Sequence, residues 1–552
     1  MEAKEITEKV GQRKQDFNPL FKRMDIDFEI WKMVESSYDT EIDTKTKAHE
    51  TDIKIISNKP RTSCDNVQSI LSSAERQIII RMAEAEGDDK REDIGKLERL
   101  FEFLFERADE RLILTRQLPL RESLIWFSLV RGWMAGRFLT YKYKGKLISK
   151  YSALDPRWLT YEIGENGFLW VNYETRRSKV ALEDEYGDIV PKQPWYKPWG
   201  GSTKNIAVYD YWKVEKNGKI SNAVVCGDTF LKEPEPQKFT SMPILIMPVS
   251  TRPTVVGSGG KSEEEGYGDS IFASIRGING IRNRFASIIA SHANLMANQA
   301  LLNYKDDVGV SISSTTNVPG GVIELVKGHQ EIVASPMKEI SPTVTSMYDW
   351  LSGQVEDGTL PDVRVASPAQ SGTLQNIVQE AGNKIFNPQI RLLNHFYSAA
   401  CRLIEEQIIA DKITVTVKSD QDRKYREDKI QPVDLKRAHI VKVEFTASSP
   451  WQKMDAYQVA EMAMRLEVPL EYIYEFILKF PDPKAVKDLA IIELFEHSPK
   501  PAMKTAVKAL MKSGRIDEAE DLIRDLEGML AEERAQVPQG VPQEAPPQAP
   551  IM

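Results

Sequence analysis

Residues 372–410 read GTLQNIVQEAGNKIFNPQIRLLNHFYSAACRLIEEQIIA, a long pattern of helical periodicity. Apolar side chains recur every three or four positions on both sides of Pro388, at Leu374, Ile377, Val378, Ile385, Leu393, Phe396, Leu403 and Ile404. A proline inside a helix removes one backbone hydrogen bond and costs about 3 kcal/mol. The pattern therefore predicts one helix of roughly 58 Å that bends near Asn387 without stopping.

The segments before this helix alternate between helical and non-helical patterns. Residues 269–297 predict a helix of roughly 43 Å, with Asp269 as a plausible N-cap. Residues 298–341 contain short strand-like runs and turns, residues 342–357 predict a second, short helix, and residues 358–371 contain the irregular stretch GTLPDVRVASPAQS. We therefore expect a helix, a small β insertion, a returning helix and a loop.

Two stripes distinguish the faces of the helix predicted at 269–297. One is apolar and fits ordinary core packing, with Ile271, Ile275, Ile278, Phe285 and Ile289. The other consists of small residues, namely Ala273, Gly277, Gly280, Ser287 and Ser291. Each glycine inside a helix costs about 1 kcal/mol relative to alanine, so Gly277 and Gly280 suggest the close approach of a neighbouring backbone.

The remaining chain predicts an α+β protein that is mainly helical. Residues 1–140 have helical spacing, for example in LERLFEFLFERADERLILTR and RESLIWFSLVRGWMAGRFL, whereas 141–268 contain aromatic and β-branched strands such as FLWVNYE and NIAVYDYWKV. Residues 412–451 predict further strands separated by the charged loop DQDRKYREDK, and 452–535 predict helices. The proline- and glutamine-rich tail at 536–552 is expected to be disordered.

Composition and charge exclude several functional classes. The net charge of −8 argues against a protein that holds nucleic acid tightly, and the three dispersed cysteines indicate neither a disulfide framework nor a zinc site. The polar N-terminus and the absence of a long apolar run predict an intracellular protein that does not span a membrane.

No local motif predicts catalysis or a bound cofactor. The stretch VVGSGGKS at 255–262 ends like a phosphate-binding loop, but the first glycine of that motif would fall at Val255 and acidic residues follow. The six histidines are scattered singly, without the spacing of metal ligands. We therefore expect no catalytic residue, no metal and no cofactor.

The order of these segments resembles that of tailed-bacteriophage portal proteins, the connectors between head and tail. The stretches that carry the resemblance are YSALDPRWLTYEIGENG, EEEGYGDSIFASIRGINGIRNRFASIIASHANLMANQ, NVPGGVIEL, LPDVRVASPAQSGTLQNIVQEAGNKIFNPQIRLLNHFYSAACRLIEEQI and SSPWQKMDAYQVAEMAMRLEVPLEYIYEFIL. Each is weakly specific alone, but their order and spacing over residues 110–495 are fairly specific.

The resemblance implies a role for each segment. Residues 1–140 and 141–268 would form helical and β-rich parts of the wing, 269–297 a stem helix, 298–341 the clip and 342–357 the returning stem helix. Residues 358–371 would be the tunnel loop, 372–411 the kinked wing helix, 412–451 a wing β segment and 452–535 a crown-like helical region. The DNA-facing residues of the loop would be Leu360, Pro361, Asp362, Val363, Arg364 and Val365. Arg276, Arg282 and Arg284 would face the channel or form ion pairs between subunits.

A portal protein is implied to act as a homododecamer at one vertex of the capsid in the virion, after synthesis in the host cytoplasm. Its implied partners are double-stranded DNA, the terminase large subunit, a head–tail adaptor, and the major capsid and scaffolding proteins. The ATPase belongs to the motor, so the chain itself would not be an enzyme. The alternatives are a nucleic-acid enzyme of the packaging machinery and a non-portal minor capsid or adaptor protein.

Overall fold

The computed structural model describes residues 2–34, 53–82, 88–144, 146–187, 205–249, 268–297, 301–308, 330–334, 339–358, 386–421, 424–446, 450–466 and 468–478. Among the described residues, about 52% are helical and 27% are in strands. This is a mixed α and β fold, as predicted, but it is not plainly mainly helical. Residues 1–447 form one compact unit and residues 448–552 form another.

The elements of the described residues are numbered in chain order. The helices are α1 (Ala3–Asp16), α2 (Asn18–Lys32), α3 (Lys59–Ser72), α4 (Asp88–Leu114), α5 (Leu120–Val130), α6 (Lys179–Tyr186), α7 (Arg276–Ala297), α8 (Pro342–Gly358), α9 (Asn387–Ala410), α10 (Pro432–Leu435), α11 (Pro450–Arg465) and α12 (Leu470–Tyr472). The strands are β1 (Glu75–Met82), β2 (Trp133–Tyr143), β3 (Lys146–Ala153), β4 (Leu159–Gly164), β5 (Gly167–Arg177), β6 (Ile206–Val214), β7 (Ile220–Cys226), β8 (Thr229–Pro236), β9 (Ile244–Pro248), β10 (Leu301–Lys305), β11 (Gln330–Ala334), β12 (Val415–Gln421), β13 (Lys424–Ile430) and β14 (His439–Thr446).

The strands of the described residues form five antiparallel sheets. The largest is a meander in the order β4-β5-β6-β7-β8, and a three-stranded sheet has the order β3-β2-β9. The other three are the pairs β1–β14, β10–β11 and β12–β13. The β1–β14 pair joins distant parts of the chain, since Glu75 lies opposite Thr446.

The predicted boundary between helical and β-rich regions at residue 140 was wrong. Helix α5 ends at Val130, and Gly132 adopts a φ of +74°, a conformation that favours glycine. Residues from Trp133 onward then extend as β2, whose alternate side chains face opposite sides of the sheet. The charged stretch predicted as a loop also differs, because Lys424–Ile430 pairs with Val415–Gln421 as a β hairpin.

Sheet β3-β2-β9 lies between two apolar layers. Phe138 and Tyr151 face a core that helices α3, α4, α5 and α9 share, with their ring centroids 5.4 Å apart. Trp133 and Ala135 face a second core made with α2 and the five-stranded sheet. The regular alternation of buried side chains along β2 explains how one strand serves both cores.

Helix α9 connects two of the sheets through its polar side chains as well as its apolar ones. The buried Gln407 amide accepts a hydrogen bond from the Thr140 N–H (2.7 Å) and donates one to the Phe138 carbonyl (2.9 Å). On strand β14, the Val443 N–H donates to Ser398 Oγ and the Phe445 N–H donates to Asn394 Oδ1. These contacts satisfy backbone groups that would otherwise lie unpaired against an apolar helix.

Pro388 occupies the first turn of α9, which begins at Asn387 after Phe386. A proline costs little there, because the first backbone N–H groups of a helix have no partner within the helix. The prediction of a bend in a helix interior is therefore not what the described residues show. Residues 372–385 of the predicted helix lie outside the described part of the chain.

The second unit is described only at its start. Ala460 and Ala463 on α11 pack against Ile473, which lies in a short π-helical turn at Ile473–Ile477. Within the described residues, none of the helices combines the length and the apolar character that a membrane span requires.

Candidate functional site: a helical hairpin

Helices α7 and α8 form an antiparallel hairpin with the strand pair β10–β11 between them in sequence. Ser274 Oγ, just before α7, donates a 2.7 Å hydrogen bond to the carbonyl of Gly358 at the end of α8. The two predicted helices and the predicted β insertion are thus present. The first helix is shorter than predicted, because it begins at Arg276 and is about 33 Å long.

Asp269 does not cap this helix as predicted. Its N–H donates to the Val249 carbonyl at 3.2 Å, and residues 271–275 form a turn before α7 begins. The side chains of Phe272 and Ile275 are buried in the main core. This turn therefore anchors the hairpin in the body of the protein.

A buried ion pair fixes the base of the hairpin. Asp27 on α2 is 1% exposed, and its carboxylate accepts hydrogen bonds from Arg276 Nε (2.7 Å), Arg276 Nη2 (2.8 Å) and Ser270 Oγ (2.7 Å). Three donors compensate for much of the loss of hydration of the carboxylate. Arg276 thus forms an ion pair within the chain, in contrast to the predicted channel-facing or intersubunit role.

Two glycines meet beside this ion pair. Gly132 and Gly268 have φ values of +74° and +75°, and a Cβ on Gly132 would lie 2.3 Å from the Gly268 carbonyl oxygen. The Gly268 carbonyl accepts a 2.9 Å hydrogen bond from Arg23 Nη2. Only glycine fits this contact between the α5–β2 turn and the chain that enters the hairpin.

The helices of the hairpin face each other through buried side chains. Leu351 and Val355 of α8 are buried, as is Arg282 of α7 at 4% exposure. Burial lowers the pKa of Arg282, and the nearby Tyr348 and Glu356 act in the opposite direction. The Arg282 guanidinium therefore lies inside the hairpin, which differs from its predicted position on the channel or at a subunit interface.

An extended strap, residues 53–57, runs along α7 in the opposite direction. The N–H groups of Ile53, Ile55 and Ser57 donate to Ser291 Oγ (2.9 Å), Ser287 Oγ (2.8 Å) and Asn283 Oδ1 (3.1 Å). Two residues of extended chain advance about 6.6 Å and four residues of helix advance about 6.0 Å. Because these two distances nearly match, every second N–H of the strap meets every fourth residue of α7, and this match sets the register of the strap.

The strap explains part of the predicted small-residue stripe. Ser287 and Ser291 are small polar residues because the strap backbone lies against them. Gly277, by contrast, is exposed, and apart from its chain neighbours and the backbone of its own helix, no atom of the described residues lies within 4 Å of where its Cβ would be. Gly280 and Arg284 are partly exposed.

The outer surface of the hairpin carries large apolar side chains in contact with solvent. Ile288 of α7 is 46% exposed and Trp350 of α8 is 55% exposed, and Met296 and Met347 are also exposed. In a monomeric protein, a surface helix normally packs such apolar residues against the protein core. Large apolar side chains exposed on both helices of one hairpin make it a candidate interaction surface.

Several predicted residues lie outside the described part of the chain. These are the six tunnel-loop residues, Leu360 to Val365, and the glycine-rich stretch at 255–262. Sequence reasoning missed Asp27 and the strap. A signal for the strap exists in the sequence, because Asn279, Asn283, Ser287 and Ser291 recur every four positions along one ridge of α7.

The three cysteines are free and buried. Burial, and secondarily the neighbouring Asp65, raises the pKa of the Cys64 thiol to about 12. No group of three histidine, cysteine or acidic residues within the described ranges could hold a metal ion. His439 forms a 2.6 Å contact with Glu405, at the end of strand β14.

No known family model matches the chain, and no curated protein is significantly similar to it in sequence.

Proposed function

We propose that this chain is a portal protein, and that twelve copies form a ring through which double-stranded DNA enters and leaves a bacteriophage capsid. In this proposal the hairpin of α7 and α8 forms the stem, and the region of β10 and β11 forms the clip. The ring would dock the terminase large subunit and a head–tail adaptor, and it would contact the capsid and scaffolding proteins. The chain itself would carry no catalytic site.

The observation that carries the proposal is the hairpin with its apolar outer surface. The ion pair between Arg276 and Asp27 connects the hairpin to helix α2. Ile288 and Trp350 of the hairpin are nevertheless exposed to solvent. Burying such side chains between neighbouring copies would stabilise a ring by roughly 25 cal/mol per Å² of apolar surface. Gly277 would then allow the close approach of a neighbouring subunit that the single chain does not provide.

The charges of the hairpin also support a sliding conduit. Duplex DNA carries one negative charge per about 1.7 Å, so a strongly basic channel would hold it tightly. Arg276 is neutralised by Asp27, and Arg282 is buried opposite α8 beside Glu356. Two of the three arginines of α7 therefore contribute little positive charge to its surface.

Negative-stain electron microscopy of the purified full-length protein tests the proposal. Rings with a central hole are the expected result, and light scattering should give the mass of about twelve chains. A protein that remains monomeric under all assembly conditions would contradict the proposal. Magnesium-dependent ATPase or nuclease activity in the pure protein would instead favour a packaging enzyme.

The tunnel loop has a separate test. We expect the double substitution Asp362→Ala/Arg364→Ala to alter DNA packaging or retention while rings still form, because both side chains would make transient contacts with the passing duplex. Packaging and retention should be measured in assembled capsids. Unchanged values for both would show that this loop only connects two helices.

A further inference from the structure

Strands β2 and β3 continue beyond the rest of their sheet as a two-stranded ribbon. Strand β9 pairs with β2 only from Trp133 to Arg137, whereas the β2–β3 pairing continues to Tyr143 opposite Lys146. Side chains beyond Thr140 become exposed on β2, beginning with Tyr141. We call residues 141–144 and 146–148 the ribbon.

The ribbon carries an unusual concentration of positive charge for this acidic protein. The stretch from Arg137 to Leu154 contains one arginine and four lysines and no acidic residue, whereas the whole chain has a net charge of −8. Lys142 and Lys144 are exposed to solvent. The charge is therefore displayed on the surface of an element that extends past its sheet.

The cations at the base of the ribbon repel one another. Burial lowers the pKa of Lys150, and the nearby Arg137 and Arg111 lower it further, while Asp210 and Glu185 act in the opposite direction. Asp210 forms an ion pair with Arg137. Because Arg111 at the end of α4 adds another cation, the surrounding carboxylates do not cancel the positive charge.

Two aromatic side chains share one face of the β2–β3 pair with Arg137 and Lys150. Tyr141 and Tyr143 lie on the same side of β2 as Arg137, and they are 37% and 58% exposed. Lys150 lies opposite Leu139 and so belongs to that face as well. Exposed cations bind the phosphates of nucleic acid, and apolar side chains can contact thymine methyl groups in the major groove of a duplex.

We propose that the ribbon is a binding surface for duplex DNA, distinct from any channel formed by the helical hairpin. The major groove of B-form DNA, about 12 Å wide, admits a two-stranded β ribbon. The ribbon would enter the groove tip first, so that Lys142 and Lys144 bind phosphates along one wall of the groove. Tyr141 and Tyr143, on the opposite face of β2 from Lys142, would lie against the other wall. The inference does not require the ring, because one chain presents the whole surface.

A pair of charge-reversal variants tests this inference in the full-length protein. Lys142→Glu/Lys144→Glu changes the ribbon, and Lys216→Glu/Lys219→Glu makes the same charge change on the exposed β6–β7 turn. Binding is measured by fluorescence anisotropy of a labelled duplex, and of one of its strands alone, over a series of salt concentrations. Circular dichroism and negative-stain microscopy of the same samples report folding and ring formation.

The ribbon variant should bind the duplex roughly sixtyfold more weakly at about 0.1 M salt, and its log–log salt slope should fall by about 1.8, as expected for two lost phosphate contacts. The β6–β7 variant should bind like the wild type. Equal losses in both variants, no duplex binding by the wild type, or tighter binding of the single strand would each overturn the proposal. Ring formation in the microscope is independent of all these results, so a failure here is distinguishable from a failure of the portal proposal.

Discussion

Asp27 and Arg276 lie 249 positions apart in the chain, and their ion pair ties helix α2 to the base of the hairpin. The Asp27 side chain is 1% exposed and that of Arg276 is 25% exposed. Breaking a buried pair by removing one partner costs more than the pair itself contributes, because the remaining charge stays buried. The base of the hairpin is therefore well ordered only when α2 is packed in place.

We predict that Asp27→Asn lowers the free energy of unfolding by about 3 kcal/mol, since Arg276 would lose its only charged partner among the described residues. Urea denaturation should show the loss. Asp16→Asn is the matched control, because Asp16 pairs with Arg13 at 64% exposure and should cost less than about 1 kcal/mol. Similar losses in the two variants would contradict a structural role for the buried pair.

His439 and Glu405 form another buried titratable pair, with 4% and 14% of their side chains exposed. Burial alone lowers the pKa of His439, but its hydrogen bonds to Glu405 and to the Arg437 carbonyl together raise the pKa above the usual value of 6.5. Burial raises the pKa of Glu405, against the effect of His439. Folding thus favours the protonated form of each group.

Stability should therefore fall as the pH rises. The contribution of His439 is fully present below pH 6.5 and is lost as the pH rises through its raised pKa. The stabilising contribution of Glu405 is fully present below pH 4.5 and is lost as the pH rises through its raised pKa. We predict that the neutral double variant His439→Gln/Glu405→Gln loses less thermal stability than the wild type between about pH 5 and pH 8. Parallel curves for the two proteins would refute this.

At the scale of secondary-structure elements, the contact between Gly132 and Gly268 fixes the position of the chain that leads into the hairpin. Gly132→Ala would place a Cβ 2.3 Å from a backbone oxygen that cannot move away as a flexible side chain could. We predict a loss of about 3 kcal/mol or more in the free energy of unfolding, which combines a strained φ with displaced backbone. Thermal or urea unfolding measures it.

Gly218→Ala separates these two causes. Gly218 also has a positive φ, +77°, but nothing lies within 4 Å of its Cβ position. This control should show only the conformational cost, about 1 kcal/mol. If Gly132→Ala costs no more than Gly218→Ala, the close contact has no energetic importance.

Periodicity predicted the elements that local sequence determines. The helices at 276–297 and 342–358 and the strands β5 and β6 were predicted at or near their positions, because their apolar spacing is regular. The long segment RESLIWFSLVRGWMAGRFL misled the prediction, since its apolar residues continue without a break from α5 into β2. The change of structure there depends on Gly132, whose role is set by its contact with distant Gly268.

The site could be predicted only in outline. A helix, a β insertion and a returning helix follow from local patterns, but the positions of Arg276 and Arg282 depend on residues far away in the chain. Asp27 looks like any other acid in the segment MDIDFEI, and nothing near it in sequence reveals that Arg276 is its partner. The spacing of apolar residues reports local structure, so it cannot predict a buried ion pair between distant elements.

At the scale of the whole molecule, the exposed apolar residues of the hairpin provide a test of assembly. We predict that Ile288→Glu/Trp350→Glu leaves the chain folded but greatly reduces the yield of rings, because each charge would be buried between subunits. Both side chains are exposed in the single chain, so its stability should change by less than about 0.5 kcal/mol per site. Light scattering after size-exclusion chromatography gives the mass.

The matched control places the same charges on another exposed apolar surface. Ile163 and Val180 are 61% and 64% exposed, and they belong to β4 and α6. Ile163→Glu/Val180→Glu should form rings as the wild type does. Rings formed equally well by the hairpin variant would remove the apolar surface as the basis for assembly.

The strap has a consequence for the order of events during synthesis. Ile53 and its partner Ser291 are 238 residues apart. At 5–20 residues per second, the ribosome takes on the order of tens of seconds to make the intervening chain. Throughout that interval the strap has been translated but α7 has not, so the strap N–H groups lack the side-chain acceptors that α7 later provides.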